Sequence, residues 1–98
     1  MTNTPLNKQT VKGKFIVRND RGLHTRPSTE LARCASTFKS QVFLRYHKNA
    51  ANAKSLLGIL MLAAAKGANI SIEAEGVDAE EAVRSIIDLA KNNFYIQY

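Results

Sequence analysis

One short stretch, Gly22-Leu23-His24-Thr25-Arg26-Pro27-Ser28, combines residue types that can take up a phosphoryl-sized anion. Pro27 is costly inside a helix but fits its first turn, where backbone N–H groups have no intrahelical partner. A helix starting at about Thr25 therefore sets His24 at its mouth. Such a terminus presents unpaired donors and roughly half a positive charge, a ready site for an anion. Arg26 adds a permanent guanidinium that bonds phosphate oxygens in a fork, and Ser28 adds a hydroxyl. The same field disfavours an imidazolium, and the neutral ring carries a nucleophilic lone pair. His24 is thus the candidate nucleophile and Arg26 the stabiliser of its phosphate. Thr25, Pro27 and Ser28 are read as the cradle. No second acid or base stands nearby in sequence, so transient holding fits better than hydrolysis. A bare His-x-Arg-Pro tetrapeptide reads more plainly as a helix cap with a solvated arginine; the wider sequence decides.

A second group gathers around Ser55. A serine that opens an apolar helix is first of all an N-cap. A phosphate added there meets a favourable dipole, so the fold should survive it while the docking surface changes. The run from Leu56 to Ala65 holds more large apolar side chains than one buried stripe needs. Ile59 and Leu62 are assigned to the core. Leu56, Leu57 and Leu60 are assigned to an exposed docking patch, ringed by Arg26, Arg33 and Lys54.

Other reactive residue types lead nowhere. Cys34 is a lone cysteine among the apolar positions of a helix and reads as a small buried hydrophobe. His47 lies in a polar turn, and two distant histidines without a cysteine pair offer no metal site. Neither a metal nor another cofactor is expected.

The elements that must hold these groups follow from periodicity. Met1 to Val11 is polar, carries Pro5 and reads as a loose leader, with one domain over residues 12–98. Lys12 to Arg18 reads as a strand, and Thr25 to Phe38 as a helix with Leu31, Ala35 and Phe38 on one face. Gln41 to Tyr46 and a short segment near Ala50 to Asn52 are strands. Ser55 to Lys66 is predicted as a helix closed by Gly67. Asn69 to Glu75 alternates as a half-buried strand. Asp78 with Glu81 has the form of a capping box before a long amphipathic helix reaching Phe94. The resulting class is α+β: an open-faced β-sandwich whose four-stranded antiparallel sheet is covered on one face by three helices, in the order βαββαβα.

Composition sets the outer limits. The 98 residues suit a single small domain, and 45% apolar content suffices for one core. Fourteen Lys and Arg against eight Asp and Glu leave a net charge of +6, which favours acidic partners. Six of the acids fall in the last third, from Glu73 to Asp88, so the positive field belongs mainly to the rest. The longest apolar run is shorter than the roughly 20 residues a bilayer span needs, and no signal pattern opens the chain. A cytoplasmic monomer without membrane insertion is the expectation.

Gly22-Leu23-His24-Thr25-Arg26-Pro27 resembles the phosphohistidine signature of the HPr family, carriers of the bacterial phosphoenolpyruvate-dependent phosphotransferase system. Asn52-Ala53-Lys54-Ser55-Leu56-Leu57-Gly58-Ile59 resembles that family's second signature, at the family's separation. The likeness runs from about Lys12 to Phe94. It implies that enzyme I phosphorylates the δ1 nitrogen of His24, and that the group then passes to an enzyme IIA component. It implies that Arg26 stabilises the moving charge while the amides after His24 hold the oxygens. It also makes Ser55 a regulatory site for HPr kinase/phosphorylase. The stretch from Leu60 to Gly67 is similar to the family's nitrogen branch, so the carbon and nitrogen branches both stay open. Two rivals stand beside this reading. A basic nucleic-acid module is favoured by charge, but only Phe43 and Tyr46 offer stacking rings, and no nucleic-acid partner is expected. A purely regulatory relative is opposed by the retained His24.

Overall fold

Alternation along Val42–Leu44, Ile70–Ala74 and Val11–Phe15 sends every second side chain to one side, and the structure buries that side. The computed structural model describes residues 9–95. The elements are β1 (Gln9–Ile16), α1 (Thr25–Ser36), β2 (Gln41–Tyr46), β3 (Asn49–Asn52), α2 (Leu56–Met61), β4 (Asn69–Gly76) and α3 (Ala79–Lys91), with a 3-10 turn at Asn93–Tyr95. The sheet is antiparallel, in the order β1-β4-β2-β3. Its register sets Gly13 opposite Ile72, Leu44 opposite Ile72 and Leu44 opposite Ala51. The three helices cover one face, so the expected open-faced α+β sandwich is the fold.

The helices bury narrow stripes: Leu31, Ala32 and Ala35 of α1, and Ala79, Ala82, Val83, Ile86, Leu89 and Ala90 of α3. Small residues in both stripes let helix and sheet approach closely. Gly13 of β1 sits at one such close approach to α3. A Cβ there would stand 2.6 Å from Val83 Cγ1 of α3. Each large aliphatic side chain buried in this way stabilises by about 1.5–3 kcal/mol. Phe94, fully buried, closes the core edge-on against Phe15 with centroids 6.1 Å apart.

Four expectations need correction. β1 begins at Gln9, which pairs with Gly76, so residues 9–11 belong to the sheet rather than to a leader. Residues 1–8 of that expected leader lie outside the described residues. α2 stops at Met61 instead of Lys66. Ala63 turns left-handed (φ 52°), and the following segment bonds to the chain before α1: Leu23 N–H donates to Ala64 C=O, and Gly67 N–H to Val17 C=O. These bonds draw the backbone out of the helix, and Gly67 caps nothing on α2. The capping box at α3 is also absent. Asp78 occupies the N-cap without a side-chain cap bond, because its carboxylate accepts from the backbone N–H groups of Lys39 and Ser40 and from the Ser40 hydroxyl. Cys34 is only half-buried, and that burial pushes its thiol above the ordinary range.

Candidate functional site

The loop from Asn19 to Leu23 fixes where α1 starts. Gly22 donates to Asn19 C=O and takes φ +69°, a conformation that glycine adopts without steric cost. A Cβ at this position would lie 2.3 Å from Ala64 O. Only glycine fits. Leu23 is buried and bonded to Ala64, so the next residue, His24, is delivered to the helix mouth. Lys66 and Asp20 pair across the same junction at 2.8 Å, which holds the Asp20 carboxyl below its usual range. Both are exposed, so the pair contributes little to stability.

His24 is the N-cap of α1, with extended backbone (φ −86°, ψ −164°) and no side-chain cap bond. The residue as a whole is half-buried. It is therefore not consumed in capping, as the bland sequence reading would have it. The first turn of α1 contains no acid, so the dipole's positive end is unopposed within the helix. Thr25 and Arg26 head the helix and are exposed; their amides belong to the first turn, which lacks intrahelical acceptors. Arg26 lines a cleft of about 300 Å³ with Thr29, Glu30, Phe94 and Tyr95.

Two members of the expected cradle do not join it. Ser28 is fully buried; its hydroxyl donates to Leu23 C=O at 3.1 Å and its amide to His24 C=O at 3.1 Å. Pro27 is buried beside it and has no N–H to offer. Their contribution is to set the turn. Residue types alone do not reveal which way the Ser28 hydroxyl points, because its acceptor is a backbone carbonyl.

Ser55 caps α2 as expected, its hydroxyl accepting from Gly58 N–H at 3.0 Å. Ile59 and Leu62 are core, while Leu56 and Leu57 are exposed and Leu60 is half-buried. Met61, 73% exposed, extends this surface and was not anticipated, although it follows Leu57 at the four-residue helical spacing. Lys54 is drawn inward: its amine donates to Phe38 C=O at 2.8 Å, beyond the end of α1. It is no freely solvated rim charge. Arg33 pairs with Glu30 on the surface. His47 is exposed in a left-handed turn, its ring against Tyr46. No group of potential metal ligands occurs among the described residues, and no helix among them is long and apolar enough to cross a membrane.

The family model of the PTS HPr component phosphorylation site matches residues 11–92. The chain belongs to the HPr family. It is 40% identical over 84 residues to the phosphocarrier protein HPr of Neisseria meningitidis serogroup A, covering 86% of this chain and 94% of that one. Over 91 residues it is 36% identical to the phosphoryl donor subunit DhaM of the PEP-dependent dihydroxyacetone kinase of Providencia stuartii, across 93% of this chain and 19% of that protein. Among solved structures, HPr-C-His from Thermoanaerobacter tengcongensis superposes with a TM-score of 0.85 at 33% identity, covering 90% of this chain and 99% of the other. As an HPr-family member the chain is a phosphocarrier of the phosphotransferase system rather than a catalytic enzyme. The HPr match spans the His24 segment, the Ser55 segment, β1 from Val11 onward and the other three strands.

Proposed function

We propose that His24 is the phosphoryl acceptor, charged by enzyme I and discharged to an enzyme IIA component. The Nδ1–phosphorus bond forms as the donor's bond to phosphorus breaks, and the reverse exchange passes the group on. The amides of Thr25 and Arg26 and the Arg26 guanidinium hold the phosphoryl oxygens as charge moves. The observation that carries this reading is the position of His24: an imidazole at the N-terminus of α1, with Arg26 exposed in the helix's first turn. The DhaM likeness, to a protein described as a phosphoryl donor subunit, supports a place in a relay. Leu56, Leu57, Leu60 and Met61 form the apolar surface on which such partners dock. Ser55 is a second, regulatory phosphorylation site for HPr kinase/phosphorylase. A phosphate of about −1.5 to −2 charge at that cap alters the adjoining docking surface while the dipole tolerates it. The carrier acts in the cytoplasm as a monomer.

The test is labelling with radioactive phosphoenolpyruvate and enzyme I. The label should be acid-labile and base-stable, vanish in His24→Ala and persist in Ser55→Ala. A His24→Ala protein that labels as well as the wild type overturns the proposal.

A further inference from the structure

β1 is an edge strand. Among the described residues it pairs with β4 alone. Val17, in line with the strand, donates to Ala68 C=O and accepts from Gly67. Residues on an antiparallel strand alternate between facing the partner and facing away. The odd-numbered residues thus bond to β4, and Lys12, Lys14 and Ile16 direct their backbone N–H and C=O groups outward. The side chains of these three are exposed, on the face opposite the helices.

Two shallow concavities meet at this edge and share Lys14. One, about 240 Å³, is lined by Ile16 and Ile87 together with Lys14, Arg18 and Lys91. The other, about 390 Å³, places Lys12, Lys14 and Arg45 around Ser71. The one acid lining either of them is Glu73, which lies 4.0 Å from Arg45. Lysines on an edge strand guard it against self-pairing, and a second copy of β1 laid here would set like charges opposite each other. The same charges attract a strand of opposite sign. Binding of a single-stranded nucleic acid needs exposed rings for stacking, and the one ring lining these concavities, Phe15, is buried.

We infer that the free edge of β1 accepts an extended acidic segment of a partner protein by strand addition. Alternate residues of that segment lie beside Lys12 and Lys14 as carboxylates, and the residues between them meet Ile87 as apolar side chains.

A blocked heptapeptide alternating Glu and Val, titrated into the ¹⁵N-labelled full chain, tests this. Saturable amide shifts at Lys12, Lys14 and Ile16 are expected, with hydrogen exchange of the outward amides slowed about tenfold. Lys12→Glu with Lys14→Glu should weaken binding about tenfold, and Lys12→Gln with Lys14→Gln should weaken it less, each with an unchanged circular dichroism spectrum. Four results overturn the inference: no saturable shift at millimolar peptide; shifts centred on α2 or His24; equal binding by a peptide of one Glu block and one Val block; or equal binding by oligouridylate.

Discussion

Leu23 donates its amide hydrogen to the carbonyl of Ala64 at 2.9 Å, so the loop that delivers His24 hangs from the segment that follows α2. His24 is placed by a residue 40 positions further along the chain, not by α1 alone. Gly22 lies in that contact, and its substitution probes it directly.

Gly22→Ala should cost about 1–2 kcal/mol from the left-handed backbone alone, and more from the approach to Ala64 O, at 2.3 Å from the new Cβ. Denaturant unfolding measures the loss. Labelling by enzyme I under conditions where the variant is folded should slow, because relief of the clash shifts His24.

Arg26 is exposed, so the proposed carrier role, and not folding, is where its loss should be felt. Arg26→Ala should leave the melting temperature within a few degrees and lower the transfer rate about 100-fold, the scale for losing one preorganised donor. Arg26→Lys should recover part of the rate, since the charge returns without the fork. Single-turnover transfer kinetics with both variants check this.

Ser55→Ala removes the hydroxyl that accepts from Gly58 N–H. A stability loss of about 1 kcal/mol is expected, with His24 labelling intact. Ser55→Asp should keep the cap and retain most of the stability while weakening binding to enzyme I. Thermal melts and a binding titration separate the two effects.

Asp78 carries the clearest pH dependence. The Ser40 hydroxyl and the Lys39 amide hold its pKa down to about 2 from 3.8. A depressed carboxylate contributes stability that is present above its unfolded value and lost as pH falls through the folded one. Wild type should therefore exceed Asp78→Asn in stability at neutral pH, and the gap should close between about pH 5 and pH 2. Urea unfolding of both proteins across that range is the measurement.

Much of this molecule could be read locally. β2 at Gln41–Tyr46 follows from strict alternation, and the start of α1 from Pro27, because both signals lie within the element itself. What escaped was decided at a distance. α2 looked longer because its apolar run continues, but bonds from Val17 and Leu23 end it. The Asp78 carboxylate looked like a cap for α3, but the turn after α1 offers it more donors. At the site, the place of His24 at the mouth of α1 and the cap formed by Ser55 were legible by residue type and spacing. The inward turn of Ser28 and Lys54 was not, since each answers to a main-chain carbonyl that no pattern of side chains reveals.

The brevity of α2 has a mechanical result. Six helical residues rise about 9 Å, with Ser55 at one tip and, just past the other, the Ala63–Ala64 bend from which the histidine loop is suspended. Under two turns of backbone join the hydroxyl to the sling, so a tilt imposed at the serine reaches the His24 loop with little slack to absorb it.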